Sequence, residues 1–298
     1  MVVATGFFDG VHVGHRLVIQ QLTEAAAVRG DESMVVTFWP HPRNVLQKEA
    51  RSLRLLTTLA QKKEMLHSLG VDKVEVLQFT KDFSSLTTEE YLRLLMDRYG
   101  ARTILLGYDN RMGSDANGAD EVARTAESLG LEVIRTEVVP SEQGFAVSST
   151  KIRQRLEEGD VKGASEMLGY EYSLHGVVVS GNRLGRTIGF PTANMQLYEP
   201  LKLIPGNGVY FVKVKTLDRN LYGMCNIGCR PTVSNGNSRT IETNIFGFEE
   251  DIYGLDIELS FVERIREERR FDSLDELKIQ LGKDRDACLT ILELSSRF

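Results

Sequence analysis

Two hydrophobic patterns divide the chain. In the first half, short apolar runs alternate with stretches whose apolar residues recur at helical spacing. Val2–Thr5, Ser33–Phe38, Lys73–Phe79, Thr103–Leu106 and Glu132–Val139 read as strands. Between them, Gly14–Arg29, Leu59–Leu69, Thr88–Tyr99 and Glu121–Leu129 read as helices, the last three closed by Gly70, Gly100 and Gly130. Unbroken apolar strands suit a sheet covered on both faces, and strand–helix alternation builds βα units on a mostly parallel sheet. Ser148-Ser149-Thr150 is an N-cap cluster opening a helix to about Glu158, and Val161–Leu168 follows as a second helix.

After Tyr172 the period shortens. His175–Ser180, Val209–Thr216, Leu221–Ile227, Thr240–Phe246 and Asp256–Phe261 are strand-like and separated by Gly, Asn, Pro and Asp, the pattern of a small antiparallel barrel or sandwich. An amphipathic helix, Leu274–Leu294, closes the chain, with Gly282 as a candidate break. The expected architecture is an α/β doubly wound parallel sheet over residues 1–170, followed by a small antiparallel β-barrel with a C-terminal helix over 171–298, the boundary lying near Tyr170–Ser173.

At 298 residues the length favours two domains, and 42% apolar with 26% charged residues is an ordinary globular composition. A net charge of −6 argues against a nucleic-acid surface but leaves room for one small anionic ligand. Three cysteines, Cys225, Cys229 and Cys288, are a poor disulfide framework and point to a reducing compartment. Cys225 and Cys229 lack a second pair and read as small buried hydrophobes rather than metal ligands. No run approaches the roughly 20 apolar residues that span a bilayer. No basic region precedes Val2-Val3-Ala4, so no secretory signal is visible and the cytoplasm is expected.

The densest chemical signal is Gly6-Phe7-Phe8-Asp9-Gly10-Val11-His12-Val13-Gly14-His15-Arg16, between a strand and a helix. In a doubly wound sheet ligands bind at the carboxyl ends of strands, helix N-termini there hold phosphate, and glycine permits close backbone approach. His12 and His15 lie one turn apart and can face the same ligand; the alternative is a structural or zinc-binding pair, for which no obvious third ligand is near. The string resembles the FMN adenylyltransferase module of bacterial bifunctional riboflavin kinase/FAD synthetases, within the nucleotidyltransferase superfamily. The resemblance implies attack of the FMN phosphate on the α-phosphate of ATP, with His12 and His15 stabilising the transition-state charge and Gly6, Phe8, Asp9 and Gly14 on the ATP side.

Other segments extend the resemblance. Trp39-Pro40-His41-Pro42 ends the second strand and places Pro40 and His41 on the flavin side. Gly107-Tyr108-Asp109-Asn110-Arg111-Met112-Gly113 ends the fourth strand and adds Asp109, although the family often has Phe at the position of Asn110. Ser148, Ser149, Thr150 and Arg153 resemble the superfamily's second phosphate element. Only five residues precede Gly6, a shorter leader than is usual in the family.

The second string, Gly185-Arg186-Thr187-Ile188-Gly189-Phe190-Pro191-Thr192-Ala193-Asn194, resembles the Pro-Thr-Ala-Asn motif of riboflavin kinases, with Gly176 and Gly181 as its glycine-rich lead-in. The resemblance makes Thr192 and Asn194 the Mg²⁺ ligands, places ATP phosphates around Gly181, Gly185 and Arg186, and makes Glu242 the base for the riboflavin 5′-hydroxyl. Asn226-Ile227-Gly228-Cys229-Arg230-Pro231-Thr232 matches a further family segment, and Arg266 is expected in a flavin-side loop before the last helix. For Glu242, a solvated strand residue or a partner of Arg239 are the plain alternatives.

The expected activity is therefore bifunctional: riboflavin and ATP give FMN, then FMN and ATP give FAD and pyrophosphate, with Mg²⁺, small-molecule partners only, and neither nucleic acid nor membrane. A riboflavin kinase whose first domain only binds nucleotide is the second reading, motivated by Asn110 and the short start. A flavin storage or sensor protein is the third.

Overall fold

The computed structural model describes residues 1–46, 53–107, 111–136, 147–181, 184–230 and 238–295. By its internal contacts the chain falls into two compact units, Met1–Ser149 and Thr150–Phe298.

The first unit follows the predicted alternation. Its elements are β1 (Val2–Thr5), α1 (Val13–Arg29), β2 (Ser33–Trp39), α2 (Pro42–Leu46), α3 (Leu59–Ser68), β3 (Lys73–Gln78), α4 (Lys81–Ser84), α5 (Thr88–Tyr99), β4 (Thr103–Leu106), α6 (Ala119–Ser128) and β5 (Glu132–Arg135). All four ladders are parallel and the strand order is β3-β2-β1-β4-β5. Val3, Val36 and Ile104 bury one face of the sheet against α5 and α6 residues such as Leu92 and Val122, while Val2, Val35 and Leu105 bury the other against Ile19 and Leu22 of α1. The chain moves outward from β1 through β2 to β3, then returns to β4 on β1's other side. The β1/β4 edge is thus the switch point of the sheet, where a crevice opens beyond the carboxyl ends of the strands. Thr87 caps α5 in a reciprocal box with Glu90, and Gly100 ends that helix in the left-handed conformation.

The second unit begins with α7 (Ser149–Glu157, its first residue shared with the first unit) and α8 (Val161–Leu168). There follow β6 (Ser173–Val179), α9 (Leu184–Thr187), β7 (Ala193–Leu197), β8 (Gly208–Thr216), β9 (Arg219–Arg230), β10 (Ser238–Ile245), β11 (Asp256–Arg266) and α10 (Leu274–Ser295). The strands close into a barrel in the order β10-β7-β6-β11-β8-β9. The two helices before the barrel group with it, ahead of the expected boundary at residue 170. Gly206 N–H donates to Leu156 O at 2.7 Å, and Arg264 Nη1 donates to Glu158 O at 2.9 Å. Strand β7 lies inside what the sequence reading takes only as a motif, although its five residues, Ala193-Asn194-Met195-Gln196-Leu197, alternate apolar and polar as a strand does. α10 runs through Gly282 without a break, as one glycine weakens a helix by only about 1 kcal/mol. Phe190, Val209, Phe211, Met224 and Cys288 form an apolar cluster joining α10 to the outer barrel wall.

Candidate active sites

In the first unit, the β1–α1 loop is held open by backbone conformations that few residues adopt. Phe8 and Val11 both have positive φ, at 52° and 36°, and Gly10 lies at 83°. Non-glycine residues held in that region mark over-determined, often functional, backbone. What fixes them is the approach of α3. The Asp9 carboxylate is buried and accepts from Leu56 N–H at 3.0 Å, from Thr57 N–H at 3.1 Å and from Thr57 Oγ1 at 3.3 Å, while Thr57 Oγ1 accepts from Gly10 N–H at 3.1 Å. The next residue, Thr58, caps α3 in a box with Gln61. One turn on, Lys62 returns to the loop and donates from Nζ to Phe7 O at 2.7 Å.

The loop delivers His12 and His15 together. His12 is the N-cap of α1 and its Nδ1 accepts from His15 N–H at 3.3 Å. The two rings stack at 3.6 Å and 16°, and Phe8 closes edge-on against His15 at 5.2 Å. Gly14 leaves room for this: a Cβ there would press on His12 Nδ1 at 3.3 Å. Withdrawal from water, then His12, then Lys62 hold the His15 imidazole well below its ordinary pKa, and His15 Nδ1 is buried with no hydrogen-bond partner among the described residues. Ser149 also arrives here, its Oγ donating to Asp9 O at 3.0 Å. Ser148 is half-buried beside it in sequence; Thr150 and Arg153 belong to the second unit.

Pro40 and His41 follow the end of β2, where the His41 ring meets Phe7 edge-on at 4.0 Å and its Nδ1 accepts from Arg43 N–H at 3.0 Å. Asp109 lies outside the described residues. A cavity of about 420 Å³ lies at the carboxyl ends of β4 and β5, lined by Gly107, Ala119, Glu121, Arg124 and Thr136 among others. It adjoins the switch-point strand β4, not the histidines. Lys62 and Phe7 escape the motif reading: nothing in a Lys-Lys pair on a helix tells which lysine is buried.

In the second unit, strand register assembles the site. Glu242 of β10 is the direct ladder partner of Asn194 of β7 on one side and of Asn226 of β9 on the other. Directly paired residues project to the same face of a sheet with Cβ atoms about 5 Å apart. Gly181 lies against Asn194, so that any Cβ there would collide with the side-chain amide. The Asn244 amide donates to Pro191 O at 2.7 Å and fastens the segment that carries Thr192. The Gly185 carbonyl accepts from Phe190 N–H at 2.8 Å, folding the Gly185–Phe190 stretch into a compact turn, on which Arg186 is exposed. Asn226 is the residue that the expected site omitted; its place beside Glu242 follows only from the β9–β10 register.

Two expected residues are committed elsewhere. Arg266 makes a bidentate ion pair with Asp284 of α10, at 2.9 Å from Nε and 2.8 Å from Nη2, and Asp284 is 1% exposed. Arg239 donates to Ile204 O at 2.8 Å, to Pro205 O and to Asn207 Oδ1 at 3.2 Å, so it ties down the loop before β8 and is not paired with Glu242. Cys225 is buried and Cys229 exposed.

A parallel sheet with a histidine pair at its switch point, joined to a closed barrel with a Glu/Asn/Asn row, defines a two-site enzyme of nucleotide and flavin chemistry. Residues 1–151 match the FAD synthetase family and residues 168–292 the riboflavin kinase (flavokinase) family. The bifunctional riboflavin kinase/FMN adenylyltransferase of Listeria monocytogenes is 35% identical over 95% of this chain and 90% of its own. That of Escherichia coli K12 is 37% identical over 95% and 90%. A Streptococcus pneumoniae crystal structure described as a macrolide-efflux protein superposes with a TM-score of 0.90 at 34% identity, covering 96% of this chain and 93% of that one. No helix among the described residues of this chain is long and apolar enough to cross a membrane. The chain belongs to the bifunctional riboflavin kinase/FMN adenylyltransferase family.

Proposed function

We propose that the chain makes FAD from riboflavin in two steps, with the residue roles that follow. The kinase step belongs to residues 171–298 and the adenylyl transfer to residues 1–170. The cross-strand row Asn194–Glu242–Asn226 is the observation that supports the kinase site most directly. Glu242 takes the proton of the riboflavin 5′-hydroxyl as its oxygen attacks the γ-phosphorus of ATP; the bond to the β-phosphate breaks and ADP leaves. Gly181, Gly185 and Arg186 face the ATP phosphates.

Thr192 and Asn194 offer a hydroxyl and an amide oxygen, a donor set suited to Mg²⁺, which takes oxygen ligands and keeps several waters. The contact between Gly181 and Asn194 supports this role, because it leaves the amide no side chain to displace it. Bound there, Mg²⁺ would neutralise charge between the β- and γ-phosphates.

In the second step an FMN phosphate oxygen attacks the α-phosphorus of ATP and pyrophosphate leaves. His12 and His15 donate to the α-phosphate oxygens, Gly6, Phe8, Asp9 and Gly14 shape the loop around the nucleotide, and Ser148 and Ser149 take the β- and γ-phosphates. Pro40 and His41 lie on the flavin side. Arg266 serves the kinase site at one remove, by holding α10 through Asp284. The unbridged cysteines fit the reducing cytoplasm.

A chromatographic time course with riboflavin, ATP and Mg²⁺ tests the reading. FMN should appear first and FAD follow. FMN alone would leave a kinase with a silent first unit, and neither product from folded protein would overturn the assignment.

A further inference from the structure

The motif reading has His12 and His15 stabilise the transition-state charge as cations or as donors, and their geometry speaks for neutral donors. The rings are 3.6 Å apart, where two imidazolium ions repel. His12 Nδ1 accepts a hydrogen bond from the His15 amide, which a protonated Nδ1 does not do. The cation at this place is Lys62. It is 1% exposed, and among the described residues no carboxylate pairs with it. Its Nζ donates to Phe7 O at 2.7 Å and to Thr37 Oγ1 at 3.2 Å, and lies 3.6 Å from the centre of the Phe7 ring. Thr37 Oγ1 in turn donates to Phe7 O at 3.2 Å. An ammonium buried this deeply without a salt bridge among the described residues is costly even in the field of Asp9, so a fold that keeps one at the head of its ligand loop has a use for it.

We propose that Lys62 is a positioning residue of the adenylyl-transfer site, the fixed cation that clamps the β1–α1 loop through the Phe7 carbonyl and supplies beside the stacked imidazoles the charge that they do not carry. The proposal rests on the assignment of His12 and His15 to that reaction. Two of the three Nζ donors are hydrogen-bonded within the protein and the ammonium lies against the Phe7 ring, so Lys62 acts through the loop and through its field, not by touching substrate. The titratable groups gathered here are His12 and His15 from the start of α1, Lys62 from α3 and Asp9 from the loop. Burial brings the Lys62 pKa down to about 8, with Asp9 pulling it back up, so the ammonium is charged at neutral pH and lost above it. Its charge also helps to hold His15 neutral, as a donor, down to acid pH.

The test uses the full chain and three variants: Lys62→Met, Lys62→Gln and Lys62→Arg. Conversion of FMN to FAD should fall tenfold or more in Lys62→Met and Lys62→Gln, while FMN formation from riboflavin stays unchanged. In the native protein FAD formation should decline above about pH 8, and Lys62→Arg, which keeps its charge, should lack that limb. The His15 imidazole, followed by NMR, should titrate at higher pH in Lys62→Met. Thr37 already donates to Phe7 O, so the Met variant leaves that acceptor satisfied and should fold; if its imidazole resonances collapse, the alkaline limb in Lys62→Arg decides the question. Equal loss in all three variants with no movement of the limb or of the His15 titration would overturn the proposal. An unchanged FAD rate in His15→Ala would instead overturn the assignment on which it rests.

Discussion

Glu242 and Asn194 stand directly opposite each other in the β7–β10 ladder, although 48 residues separate them in the chain, and Asn226 flanks Glu242 on the other side. Closure of the barrel is what makes them neighbours. The pairing places the proposed base beside the proposed metal ligand. Glu242→Gln keeps the shape and removes the basic oxygen, so FMN formation should fall by about 10²–10⁴ while FMN-to-FAD conversion is retained. Equal loss of both reactions, measured on one preparation, would sink the two-site assignment.

Gly181→Ala should act on the same site by steric means. Its Cβ collides with the Asn194 amide, so that side chain must turn out of its native position. Kinase turnover should drop about tenfold or more with a raised Mg²⁺ requirement, read from an Mg²⁺ titration of the initial rate. A native Mg²⁺ profile would detach Asn194 from the metal.

His15→Ala should let FMN accumulate. Loss of one preorganised donor to a developing charge costs about 10²–10³ in rate. The same time course that shows FMN rising normally should show FAD formation nearly stopped.

Asp9→Ala should behave as a stability variant. The carboxylate joins the β1–α1 loop to the residues before α3 through Leu56 and Thr57, and its removal strands buried N–H groups at about 1–3 kcal/mol each. Calorimetry should show the first unit melting earlier, with the barrel's transition unmoved. A normal melt with a raised KM for ATP would return Asp9 to direct phosphate contact.

The Arg266–Asp284 pair makes a contrasting case. Asp284 is buried, so Arg266→Ala leaves an uncompensated carboxylate and should destabilise the second unit by about 3–5 kcal/mol. The double variant Arg266→Met/Asp284→Leu should recover much of that stability. If the single variant instead melts normally and raises only the KM for riboflavin, Arg266 touches flavin after all.

Much of this protein is legible without coordinates. The alternation of apolar runs and helical stripes up to β5 is local, set by side-chain period and by stops such as Gly100, and so it predicts the parallel sheet. The strings around His12 and Thr192 are contiguous, and contiguous motifs survive in any linear reading. The tertiary structure decided what depends on residues far apart in the chain. Strand β7 alternates apolar and polar residues over Ala193–Leu197, but that it pairs with β6 and β10, and so sets Asn194 beside Glu242, follows only from the barrel. The two helices after Ser148 group with the barrel because Leu156 and Glu158 offer carbonyls to Gly206 and Arg264. Arg266 is drawn to Asp284, which composition does not reveal. Lys62 and Lys63 are indistinguishable in sequence; the cap at Thr58 sets the helical phase that buries Lys62 against Phe7 and leaves Lys63 in water. Local period is a property of neighbouring residues, whereas register, burial and charge environment are fixed only when distant segments pack.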